Sequence, residues 1–237
     1  SIAALTALKE LNLTGNKFTT LPKPIVKLTS LTALVFNWNR LVTLPDSIAA
    51  LTALETLKLN NNSFTTLPKS IGKLTSLTEL NLIKNRLTTL PDSIAALTAL
   101  EALNLFHNEL VTLPDSIAAL TALKLLHLGD NEFTTFPKPI VKLTSLTYFS
   151  IYNNELVTIP DSIAALTALE TLMLCDNQLV TLPDSIVALT ALELLNLDSN
   201  SFVTLPDSIA ALTALKELQL YDNPLAKPQS SAVEAWL

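Results

Sequence analysis

The chain has 237 residues, 49% of them apolar and 15% charged, and carries a formal net charge of −6. That apolar fraction excludes disorder, and no stretch approaches the ~18 consecutive apolar residues that a membrane-spanning helix requires. Three glycines leave no room for a glycine-rich phosphate loop, and one cysteine with two histidines supplies neither a disulfide nor a closed metal site, so no cofactor or metal is expected.

The chain opens on Ser1 with neither an initiator Met nor a secretory leader, which reads as a mature form or an excised fragment. Ile2, Leu5 and Leu8 already occupy repeat positions, with no polar cap before them. From there asparagines 16, 39, 62, 85, 108, 131, 154, 177, 200 and 223 recur every 23 residues, so ten repeats share one register. In the third copy the frame is Leu54-x-x-Leu57-x-Leu59-x-x-Asn62-x-Phe64-x-x-Leu67-Pro68-x-x-Ile71-x-x-Leu74-x-x-Leu77. Leu57 and Leu59 alternate with Thr56, Lys58 and Asn60, which predicts one short strand per repeat, apolar face inward. Stacking it every 23 residues makes neighbouring strands parallel and the core a column of leucines. The Asn is expected to bond backbone groups left unpaired where the chain leaves the strand.

Prolines 22, 45, 68, 91, 114, 137, 160, 183 and 206 each follow an apolar residue and suit an extended return segment. The Asp-Ser after most of them, as in Asp115-Ser116, predicts an N-cap for a very short helix or 3₁₀ turn through Ile117–Leu120. A second kind of return segment begins at Lys23, Lys69 and Lys138. Past Asn223 the frame breaks, and Ser230 or Ser231 is expected to cap a helix whose Val233, Trp236 and Leu237 close the core. The organisation expected is therefore an array over 1–225 and a capping helix over 226–237.

This frame resembles the leucine-rich repeat family from Ser1 to about Leu225. The resemblance implies an α/β solenoid, a curved horseshoe with the parallel sheet concave and short helical or 3₁₀ turns convex. The Leu-Pro-x-x-Ile-x-x-Leu spacing is similar to the short class of Ras-group plant proteins, Roco proteins and bacterial effectors. That implies a noncatalytic protein-interaction module inside the cell, its partner a protein or peptide. An extracellular recognition ectodomain and a structural scaffold are the alternatives. The array should be monomeric if its amino end is capped.

Packing dictates the leucines, whereas the outward strand positions are free, so their choices report on partners. Ile83, Phe106, Leu125, His127, Tyr148, Tyr152 and Met173 fall together over repeats four to eight as one apolar patch, the expected binding site. Gly129 lies between Phe106 and Tyr152, two strand spacings or roughly 9–10 Å apart, and should leave a notch for a partner side chain. Trp38, with Val35, forms a second contact region near the amino end. Residues 1–100 carry 10 basic and 5 acidic side chains and residues 101–237 carry 5 and 16, a dipole that would orient a complementary partner. Only Arg40 and Arg86 are arginines, which argues against nucleic acid. His107 and Asp130 share a column in adjacent strands and should pair. His127 and Cys175 are too dispersed to act as base and nucleophile.

Overall fold

The computed structural model describes residues 2–226 and residue 230. Each repeat contributes one three-residue strand: β1 (Glu10–Asn12), β2 (Ala33–Val35), β3 (Thr56–Lys58), β4 (Glu79–Asn81), β5 (Ala102–Asn104), β6 (Leu125–His127), β7 (Tyr148–Ser150), β8 (Thr171–Met173), β9 (Leu194–Asn196) and β10 (Glu217–Gln219). They form a single parallel sheet in chain order, with register such as Leu34↔Leu57 and Leu126↔Phe149. The register is that of the 23-residue period, because a slip would carry every leucine to the wrong face.

The alternation works as the sequence predicts. Leu57 and Leu59 are fully buried, and Phe64, Leu67, Ile71, Leu74 and Leu77 close the same layer from the return segment. Each such side chain is worth about 1.5–3 kcal/mol, but only against the leucines of the repeats above and below. The described end repeats have one neighbour apiece, and Leu11, Leu13, Leu218 and Leu220 are accordingly only partly buried.

The repeated Asn is the hinge of each turn. Asn85 accepts from the Phe64 N–H (3.1 Å) and donates to the carbonyls of Leu59 (3.1 Å) and Leu82 (2.9 Å), tying its own turn to the preceding repeat. The residue before it adopts a left-handed conformation in every repeat, with φ between 48° and 75° from Gly15 and Trp38 to Asp222. Only Gly15 is a glycine there, so the remaining side chains bear this turn at some steric cost.

The convex side is built from 3₁₀ helices of three or five residues, such as Asp46–Ala50 and Asp115–Ala119. The expected Asp-Ser cap does not form. The capping position is Pro114 in extended conformation, the helix begins at Asp115, and no side chain caps it. Proline already sets the entry dihedral, which moves Asp and Ser into the first turn, facing along the stack. There Ser116 donates to Asp92 of the preceding repeat, as Ser185 does to Asp161 and Ser208 to Asp184, each at 3.3 Å. Ser230 donates to Asp207. The expected helix with Ser231, Val233, Trp236 and Leu237 lies outside the described residues. No helix among those described is long and apolar enough to cross a membrane.

Candidate protein-binding face

Strands β4 to β8 carry the apolar patch, and their pleat turns its residues onto the concave face because the alternate leucines are all buried. Leu125 pairs in register with Tyr148, and His127 with Ser150 and then Met173. Four rings gather there. The Phe106 ring and the His127 imidazole stack at 5.0 Å, 17° apart, Tyr152 leans against His127 at 5.5 Å, and Tyr148 meets it edge-on at 6.2 Å. Ile83, Leu125 and Met173 flank this cluster, and all seven predicted residues are half-buried.

The notch predicted at Gly129 is filled. Phe106 and Tyr152 do not stand two strand spacings apart; their ring centroids approach to 5.7 Å. The missing side chain of Gly129 lets Tyr152 fold down over it, and both rings shed apolar surface from water by closing the gap. Gly129 is buried as a result. Trp38 stands apart on the turn after β2, 61% exposed and at φ 54°.

Two polar atoms under the cluster have no hydrogen-bond partner. One is Nε2 of His127, whose burial pushes the imidazole below its ordinary pKa. The other is Oγ of Ser150, a residue with no exposed surface, set between His127 and Met173 in the sheet. Both flanking residues of Ser150, Phe149 and Ile151, point into the core, so its hydroxyl lies on the concave side beneath the rings. Nothing in the sequence marks this serine, whose burial arises only from the size of its neighbours.

The expected His107–Asp130 pair forms, and Asp130 also accepts from the Asn153 amide at 2.7 Å. Burial, and then the nearby Asp130 carboxylate, push the Tyr152 hydroxyl upward. Burial and the adjacent Asp176 push the Cys175 thiol up to about 11, so it stays protonated and unreactive at neutral pH. Around the cluster, the turns that follow β5 to β9 hold Glu109, Asp130, Glu132, Glu155, Asp176 and Asp198 and neither lysine nor arginine. At the edge where the strands begin, Lys124 and Lys216 are paired with Glu101 (2.8 Å) and Glu193 (2.7 Å).

A one-sheet parallel solenoid with a uniform spine and a varied concave face is a protein-interaction architecture. The chain belongs to the leucine-rich repeat family: a leucine-rich repeat region model matches residues 1–86 and 137–235, and a second leucine rich repeat model matches residues 75–133. It is similar to a leucine-rich repeat protein of Leptospira interrogans, 36% identical with a TM-score of 0.82 over 98% of this chain and 65% of that one. It is also similar to the ectodomain of the plant membrane receptor kinase GASSHO1/SCHENGEN3 from Arabidopsis thaliana, solved in complex with Casparian strip integrity factor 2. That likeness is 29% identical, with a TM-score of 0.73 over 94% of this chain and 34% of that one. A TDR receptor gives 29% identity and a TM-score of 0.75 over 94% of this chain and 45% of that one. The chain thus spans under two thirds of the length of each. None of the curated proteins matches it.

Proposed function

We propose that the chain is a noncatalytic binding module that holds a protein or peptide on its concave face, with Ile83, Phe106, Leu125, His127, Tyr148, Tyr152 and Met173 as the contact surface. The observation that carries this reading is the four-ring cluster: aromatic side chains gathered on the one face free of packing duty are enriched at protein interfaces. The plant ectodomain solved with Casparian strip integrity factor 2 supports a partner of this kind for the fold. Trp38, strongly exposed on the turn after β2, is a second contact point. The Leu-Pro-x-x-Ile frame supports an intracellular setting, although the fold itself is shared with receptor ectodomains.

The test is a capture experiment with the intact chain beside a Phe106→Ala, Tyr148→Ala, Tyr152→Ala variant whose thermal midpoint is checked. The variant should lose the partners that the intact chain retains. Equal capture of every partner by both would remove the patch from the binding surface.

A further inference from the structure

We propose that the four-ring cluster is a closed pocket for a lysine or arginine side chain of the protein partner, opened when the Tyr152 ring turns off Gly129. This rests on the reading of the concave face as the binding surface and names the chemistry that surface selects.

The floor of the cluster holds two atoms that a hydrogen-bond donor would satisfy. The Ser150 hydroxyl is wholly buried and unpartnered, and Nε2 of His127 is buried and unpartnered beside it in the sheet. Leaving such buried atoms unpaired is costly, and a ligand donor recovers that cost. In the neutral imidazole protonated on Nδ1, Nε2 is an acceptor, and the serine oxygen accepts as well. An ammonium or guanidinium group carries donors and no acceptor, and so matches this pair.

The walls favour the same occupant. Phe106, Tyr148 and Tyr152 present ring faces and edges around His127, and a cation against such rings is held by their quadrupoles. The aliphatic stem of a lysine or arginine would lie along Phe106 and Met173. The turns that follow β5 to β9 carry six carboxylates and neither lysine nor arginine, Lys84 and Arg86 lying at the far edge of the patch after β4, so their field draws a positive group and repels a carboxylate. Gly129 supplies the way in. The ring that closes the pocket sits on bare backbone and is half-exposed, so it has room to swing outward.

The experiment selects displayed random peptides on the intact chain and re-tests the survivors on the Phe106→Ala, Tyr148→Ala, Tyr152→Ala variant. Peptides lost with the variant should share a lysine or arginine, and its replacement by norleucine should weaken binding about tenfold. Ser150→Ala should weaken the basic peptide about threefold and leave the norleucine peptide unchanged. Patch-dependent peptides without a common basic residue would overturn the pocket while leaving the concave face a binding surface. If no peptide depends on the patch, the reading of the face falls, and the pocket with it.

Discussion

The Tyr152 ring lies directly on Gly129, so close that a Cβ at that glycine would stand 2.8 Å from the ring's Cε1 and 3.1 Å from Nε2 of His127. A glycine in a strand-flanking position is here a seat for a neighbour's ring rather than a bend in the chain. Gly129→Ala should therefore lift Tyr152 away from Phe106 and His127 and leave the stack of leucines intact. The loss in stability should be about 1 kcal/mol, since a half-exposed ring yields more readily than backbone. Near-ultraviolet circular dichroism should change while the far-ultraviolet spectrum does not; an unchanged aromatic signal would contradict this packing.

Gly72 meets a harder obstacle. A Cβ there would lie 2.5 Å from the backbone oxygen of Ser93 in the next repeat, and a carbonyl fixed in a stacked 3₁₀ helix does not step aside. Gly72→Ala is expected to cost about 1–3 kcal/mol in chemical denaturation. The corresponding residues Ala49 and Ala95 are tolerated, so a neutral outcome would mean that the third and fourth repeats can spread to the spacing of the others.

The asparagine turns predict a gradient of cost. Asn85→Ala strips a partner from the Phe64 N–H and from the Leu59 and Leu82 carbonyls, all inside the protein, and should destabilise by about 2–4 kcal/mol. Asn16 is exposed and bonds only within its own repeat, to Leu13 at 2.9 Å and Thr14 at 3.3 Å. Asn16→Ala should cost clearly less, and equal losses for the two would deny the inter-repeat bonds their weight.

Acid should weaken the array through His127. Burial lowers its folded pKa below the unfolded value of about 6.5, so the unfolded chain binds the extra proton first. The stability that neutral His127 confers is full above the unfolded pKa and is lost as the pH falls through the folded one. Phe106 and Ser150 beside the imidazole carry no ionisable group in this range, burial pushes the Tyr152 hydroxyl further above it, and Asp130 is engaged by His107 and Asn153. Between pH 8 and pH 5 the thermal midpoint of the intact chain should fall more than that of His127→Gln. Parallel curves would show that the imidazole is not shielded from water.

Much of this molecule was legible because period and pleat are rigid rules. A 23-residue interval and the alternation Leu57-x-Leu59 leave one parallel arrangement, and the outward columns followed, with Phe106, His127, Tyr148 and Tyr152 on one face. What could not be read depends on how side chains settle against each other. Strand spacing placed Phe106 and Tyr152 far apart, but the rings lean across Gly129 because apolar surfaces close any gap they can reach. Asp115 looked like a cap by residue type, whereas Pro114 had already claimed that position. Ser150 carried no signal at all, since its burial belongs to the larger side chains around it, with His127 and Met173 beside it in the sheet.

The asparagine bonds that cross between repeats all run one way. Asn39 reaches back to Leu13 and Phe18, Asn62 to Phe36 and Leu41, and Asn85 to Leu59 and Phe64. A turn is therefore not finished by its own residues but by an amide that the ribosome adds 21 to 26 positions later. During synthesis the nascent array always trails by one unit, its newest loop open until the next amide emerges to latch it.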